Sequence, residues 1–300
     1  MLASEIPVPR ASSRTLTASS DESVGVCVSV AERLGVTKLR VPETRTRVGA
    51  RRWNEVVNAS SVMERLNRDR VVINRAYHKM HEIIMSCVLP TVRTSVHLCE
   101  APGGFVQCVS EHLRDPEGWT WHAVTRGDGI APDDSFRLCD NGCFSLIDVM
   151  VDEDRVTSTL RLTFPNGADL VTADGAVEMN HNRIEEEHFP LALTQTRIAL
   201  SCLARGGTFV LKMFECLRPC TRDLVAQLTR CFDSVSIIKP YSSRPTNSER
   251  YIVCRSFSGQ GTVDDQVYVH ADGWRHEYDE IVCRMANTQI MCLERAFASV

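Results

Sequence analysis

The sequence predicts an α/β fold: a mostly parallel, Rossmann-like sheet with helices on both faces, preceded by a helical N-terminal extension. Three observations carry this. From about residue 94, strand-like and helix-like stretches alternate, the pattern of strands joined by crossover helices. The stretch "SVHLCEAPGGFVQCVSEHL" (95–113) begins as a strand, turns through Pro-Gly-Gly and leaves as a helix, presenting backbone amides at the carboxyl edge of the sheet, where such folds bind ligands. With 300 residues, 43% hydrophobic and 24% charged, the chain can bury a full core and has the make-up of an ordinary globule.

In chain order, residues 1–24, with "ASSRTLTASSDES", have the Ser/Thr-rich composition of a disordered tail. Signals are weak from 25 to 60, where "RVGARRWNE" is the most basic stretch. Between 62 and 87, Leu66, Val72, Ile73, Ala76, Tyr77, Met80, Ile83 and Ile84 recur at helical spacing, so 25–90 reads as a basic, helical extension. "TSVHLCEA" is then a strand, "GFVQCVSEHL" a helix and "WTWHAVT" a strand; a loop-rich stretch follows. "ADLVTADG" is a strand, and "PLALTQTRIALSCLARGG" a helix with a glycine stop. "TFVLKMF", "SVSIIKP" and "ERYIVCRSF" are strands, the first two separated by the helix "TRDLVAQLTRCF". One sheet domain over 91–258 is expected, with 259–300 as a small appendage ending in a helix.

Several classes are disfavoured. The longest apolar runs fall far short of a membrane span and no basic-then-apolar signal segment opens the chain, so no membrane partner is expected. Thirteen cysteines are scattered without a Cys-x-x-Cys pair; Cys139/Cys143 and Cys216/Cys220 have x3 spacing, with no second pair to complete a zinc pattern. Reduced thiols in an intracellular protein, and no metal required by any motif, are the expectation. The net charge of −4 hides an asymmetry: residues 1–79 carry 14 Lys and Arg against 8 Asp and Glu, and the remainder 20 against 30. A basic N-terminal third suggests a polyanion contact, with a solvated helix face as the alternative. "RTRVGARRWNE" sets Arg45, Arg47, Arg51 and Arg52 near Trp53, a combination suited to phosphates and stacked bases.

The Pro-Gly-Gly turn lacks the three glycines that crowd amides around a pyrophosphate, and Glu100 just before it would repel one. A ligand with an amino group suits that carboxylate better; S-adenosylmethionine, with a sulfonium and an amino-acid tail, is such a ligand. An ordinary strand-to-helix turn is the alternative. A second signal is the scarcity of lysine: 30 Arg but only Lys38, Lys79, Lys212 and Lys239. Lysine can lose its proton when desolvated near another cation, which arginine effectively cannot. Lys212 in "TFVLKMF" and Asp174 in "LVTADG" both fall at the carboxyl ends of their strands and should converge beside the turn.

"HLCEAPGGF", "LVTADG", "GGTFVLKMF" and "KPYSSRPTNSERYIVC" resemble, in order and spacing, the FtsJ-like ribose 2′-O-methyltransferases, most closely the adrift-type branch that acts on the second transcribed nucleotide of capped mRNA. "AYHKMHEII" looks like that branch's helix bearing its first catalytic lysine. The resemblance runs from about 62 to 257, is weakest over 126–165 and is absent before about 40. It implies a class I methyltransferase domain, S-adenosylmethionine as cofactor, capped mRNA as substrate, a nuclear location, and a Lys–Asp–Lys–Glu tetrad at Lys79, Asp174, Lys212 and Glu249. It also implies cofactor contacts from Pro102, Gly103 and Gly104 in the turn, Trp119 at the start of "WTWHAVT", and Asp148 in "SLIDVM" near the adenine. Bacterial relatives have an acid for the ribose hydroxyls at the end of the second strand; this chain reads "TRGDG", so either Asp128 substitutes or Trp119 holds the nucleoside by packing. The first transcribed nucleotide, another RNA, and a non-catalytic RNA-binding subunit are the alternatives.

Overall fold

The computed structural model of the chain describes residues 4–10, 25–59, 71–87, 91–113, 117–138, 141–177, 183–266 and 272–300. Its centre is built from the apolar runs read as strands: β2 (Thr94–Leu98), β3 (Thr120–Thr125), β5 (Ala168–Ala173), β6 (Leu203–Phe214), β7 (Phe232–Lys239) and β8 (Glu249–Phe257). Each is buried on both faces for most of its length, as a sheet covered by helices requires. Two further strands flank them, β1 (Ser4–Val8) and β4 (Gly142–Leu146), giving the order β1-β7-β8-β6-β5-β2-β3-β4. Strands β4, β3, β2, β5 and β6 are mutually parallel, whereas β8 runs antiparallel to both β6 and β7, and β1 antiparallel to β7. The reversal of β8 matters for the site: its first residue, Glu249, lies opposite Phe214 at the end of β6.

The helices are α1 (Gly25–Val48), α2 (Ala50–Ala59), α3 (Ala76–Ser86), α4 (Gly104–His112), α5 (Glu153–Thr163), α6 (Ile184–Cys202), α7 (Pro219–Cys231) and α8 (Asp272–Ala298). On one face, α3 and α4 pack Tyr77, Met80, Ile83, Phe105 and Val109 against Val210, Tyr251 and Val253. The other face carries the larger core, where α1, α2, α6, α7 and α8 meet the sheet.

Four expectations are corrected. Ser4–Val8, assigned by composition to a disordered tail, is an edge strand: Glu5 accepts from Ser236 Oγ at 2.6 Å and pairs with Arg255 at 2.6 Å. The helix expected over 62–87 begins only at Ala76, where Asn74 Oδ1 accepts from Ala76 N at 2.9 Å; Val72 and Ile73 precede it, and 60–70 lie outside the described residues. Residues 272–298 are no small appendage but a 27-residue helix whose Tyr278, Val282, Ala286 and Leu293 belong to the main core. Trp53 is not offered to a base: it is 5% exposed and stacks on Phe297 with centroids 5.7 Å apart, while Arg45, Arg47, Arg51 and Arg52 remain exposed.

Candidate active site

All four residues of the expected tetrad reach one place, the carboxyl edge of the parallel strands on the α3 side. Alternation along β8 puts Glu249 and Tyr251 on one face, and pairing of Tyr251 with Lys212 puts the lysine on that face too. Asp174 follows β5, the neighbour of β6, and Lys79 descends from α3, fixed by the buried stripe of Tyr77, Met80 and Ile83. Lys79 Nζ lies 2.9 Å from Glu249 Oε2. Lys212 Nζ donates to the Asp174 carbonyl at 2.7 Å and lies 3.2 Å from its Oδ1.

The electrostatics bind Lys79 to Glu249. Burial works against charge on Lys79, but Glu249 and Asp174 outweigh it and hold its ammonium above the ordinary lysine value. Burial likewise works against ionised Glu249, yet Lys79, Lys212 and Lys239 outweigh it and keep the carboxyl well below the usual carboxylate range. Lys79 and Glu249 are therefore a standing ion pair. Among the described residues Glu249 Oε1, though buried, has no hydrogen-bond partner, an acceptor that a buried site does not ordinarily leave unused.

Three contributors escaped the sequence reading. Tyr251 Oη donates to Asp174 Oδ1 at 2.7 Å; burial, then Asp174 and Glu249, push the phenol well above its ordinary value, so it stays a donor. Its signal was there, two residues past Glu249 on the same strand face. Lys239, at the end of β7, donates to the Glu249 carbonyl at 2.7 Å and to Asn247 O at 2.9 Å, with further bonds to Asn247 Oδ1 and Ser243 Oγ. Glu82, one turn beyond Lys79, accepts from Tyr241 N at 2.6 Å and Ser242 N at 2.7 Å, tying α3 to the loop that delivers Glu249.

The residues expected around a cofactor are placed unevenly. Gly103 has φ +123°, open to glycine and strained for other residues, and a Cβ there would fall 2.1 Å from the Phe136 ring. Pro102 O accepts from Asp133 N at 2.9 Å. A Cβ on Gly104 would fall 2.0 Å from Asn74 Oδ1, so its lack of a side chain lets the approach to α3 pack close. Asp148, past β4, accepts from Met150 N at 2.8 Å and lies 3.6 Å from Arg126, which also holds Asp128 at 3.0 Å. Trp119 does not join them. It precedes β3 at the opposite edge, is 1% exposed, and donates Nε1 to Ser95 Oγ at 2.9 Å beneath a stacked Trp121. Glu100 points inward: its Oε1 accepts from Phe105 N at 2.6 Å and Val106 N at 3.3 Å, and burial, then Asp174, raise its carboxyl well above the usual range.

A family model described as FtsJ-like methyltransferase matches residues 72–257. The chain is 32% identical over 216 residues to the cap-specific mRNA (nucleoside-2′-O-)-methyltransferase 2 of Pongo abelii, covering 63% of this chain and 28% of that protein. It is also 32% identical over 214 residues to the cap-specific mRNA (nucleoside-2′-O-)-methyltransferase 1 of Trypanosoma brucei brucei, covering 62% and 56%. The matched region thus spans less than two thirds of either relative. A solved ribosomal RNA methyltransferase from Plasmodium falciparum shares the fold, with a TM-score of 0.50 and 22% identity over 62% of this chain and 99% of that one.

Proposed function

The chain belongs to the FtsJ-like methyltransferase family, and from that premise we propose that it methylates a ribose 2′-hydroxyl of capped mRNA, at the second transcribed nucleotide, with S-adenosylmethionine as donor. The observation that carries this reading is the meeting of Lys79, Asp174, Lys212 and Glu249 at one edge, with two cation–carboxylate contacts of 2.9 and 3.2 Å. The neighbouring rim suits the donor. Asp148 and Asp128, with side chains 30% and 77% exposed, offer carboxylates to amino and hydroxyl groups, and the Pro102–Gly104 turn offers backbone. When bound, S-adenosylmethionine supplies an electrophilic methyl on its sulfonium.

The chain's own residues then divide the work. Lys79, held cationic by Glu249, orients the ribose hydroxyl by donating to its oxygen. Lys212, after its own ammonium proton passes to solvent, accepts the hydroxyl proton at Nζ, steered by Asp174, which Tyr251 fixes in turn. Much of the acceleration comes from alignment of the reacting groups. Lys79 comes from the helical extension expected over 25–90 and the other three from the methyltransferase domain of 91–258, so both parts serve one site. This reading places the protein in the nucleus, where mRNA is capped.

Relatives numbered 1 and 2 match with equal identity, which keeps the first transcribed nucleotide as the second reading. Methyl transfer from labelled cofactor onto RNAs of defined cap methylation decides between them once the labelled nucleotide is mapped. Label on the second nucleotide is the expected result. Label only on the first selects the alternative, and label on none of the RNAs rejects the activity.

A further inference from the structure

Away from the tetrad, α3 and α4 bring together three side chains of metal-ligating type. Cys108 and His112 are four residues apart on α4 and so share one face; His81 reaches them from α3. His81 Nδ1 is 2.8 Å from His112 Nε2, Cys108 Sγ is 3.7 Å from His112 Nδ1, and one ligand atom from each residue lies within 4.8 Å of the others. Cys108 is fully buried and the two histidines half-buried.

The protons show what the cluster can hold. His112 Nδ1 donates to the Cys108 carbonyl at 2.7 Å, so in the neutral ring Nε2 carries the lone pair, aimed at His81. A carbonyl that fixes a histidine tautomer in this way is the usual support of a metal-bound imidazole. Two imidazoles and a thiol favour zinc over the oxygen-seeking cations.

We infer that His81, Cys108 and His112 form a site for a divalent zinc-like cation that fastens α3, which carries Lys79, to α4, which leads from the Pro-Gly-Gly turn. Zinc–nitrogen bonds of about 2.1 Å set two tetrahedral nitrogens about 3.3 Å apart, so the imidazoles open by roughly half an ångström and Cys108 Sγ closes by up to about 1 Å. On binding, the Cys108 thiol proton leaves to solvent and the His81 ring proton moves from Nδ1 to Nε2. A water completes the tetrahedron, as in three-ligand zinc sites. Spacing alone does not report this cluster, because Cys108 and His112 form one short pair on α4 and the third ligand lies 27 residues upstream on another helix.

The test uses the full chain stripped with chelator and titrated with cobalt(II). One equivalent should give the thiolate-to-cobalt band and tetrahedral visible absorption, both displaced by zinc, and zinc should raise the melting temperature. Cys108→Ser should remove the thiolate band, and His81→Asn should weaken cobalt binding more than about 100-fold. Because the other cysteines could bind cobalt, X-ray absorption of the zinc-loaded parent is the second measurement, and it does not depend on any variant folding. One sulfur and two nitrogens in the first shell support the site. No binding, a sulfur-rich shell, or a thiolate band that survives in Cys108→Ser overturns it and leaves the three side chains as a hydrogen-bonded cluster.

Discussion

Each of the four lysines has a defined polar partner at the carboxyl edge. Lys79 meets Glu249, Lys212 meets Asp174, Lys239 meets Asn247 and the Glu249 carbonyl, and Lys38 on α1 meets Glu215 just after β6. Lysine scarcity was therefore a legible signal, because a chain that uses arginine for its surface reserves lysine for compact, desolvated cation sites. Lys212→Arg should abolish transfer while leaving cofactor affinity within a few-fold of the parent, since arginine keeps the charge and cannot accept the proton. Single-turnover transfer alongside calorimetric cofactor titration checks this, and near-normal turnover would remove Lys212 from the proton-acceptor role. Lys239 yields a second expectation. Burial lowers its amine from 10.5 to about 7, so between those values the unfolded chain holds the proton that the folded chain has released. Stability then rises with pH above about 7, by at most roughly 1.4 kcal/mol per unit, and below 7 the cost of the buried charge is fully present. The urea-unfolding free energy of the parent minus that of Lys239→Met should rise from pH 7 to 9; a flat difference contradicts the buried assignment.

At the scale of elements, what could be read depended on burial. Strands β2, β5 and β6 were legible because both faces are covered, so their sequences are continuous apolar runs. Strand β4 was missed because it is a half-exposed edge, and α5 because it reads as polar until Asp152 is seen accepting from Arg155 N at 3.2 Å with Glu153 and Asp154 in its first turn. The glycines expected to stop α6 fall inside β6, where Gly206 at φ +82° accompanies the register shift against β5. Helix α1 falls inside the extension expected to be helical, but its own signal is weak because its ties are long-range. Lys38 pairs with Glu215, which also accepts from Ser248 Oγ at 3.0 Å, and Arg40 lies 4.2 Å over the Phe297 ring. Glu215 and the next residue, Cys216, have φ +52° and +61°, a costly backbone that the surrounding bonds must hold. Lys38→Met strands the Glu215 carboxylate and should cost about 3–5 kcal/mol, the usual penalty for breaking a buried ion pair from one side. Adding Glu215→Gln should restore most of that loss in chemical denaturation, and additive losses would show that the two residues act separately.

For the whole molecule, the main core mixes Val8, Leu34, Trp53, Ile237, Tyr278 and Leu293, so β1, α1, α2 and α8 complete the fold of the sheet rather than hang from it. Sequence reading separated these segments because the contacts uniting them span most of the chain, which no local pattern reports. Their outward surface is another matter. Arg45, Arg47, Arg51 and Arg52 are exposed, and the only described partner of Arg51 and Arg52 is Glu55, at 3.3 and 3.7 Å, pairs that contribute little in water. With Trp53 turned into the core, this face can offer RNA phosphate contacts but no stacking. Its share of binding should therefore be almost purely electrostatic, and affinity should fall with rising salt at a slope of about 0.7 per phosphate neutralised on a single strand. Arg51→Ala with Arg52→Ala should flatten that slope by roughly one unit or more, raise the RNA Michaelis constant, and leave cofactor affinity and melting temperature unchanged. An unaltered slope and Michaelis constant would mean that the helix face is merely solvated, and the RNA path would then have to be sought on the loop of Tyr241 to Asn247 beside Glu249.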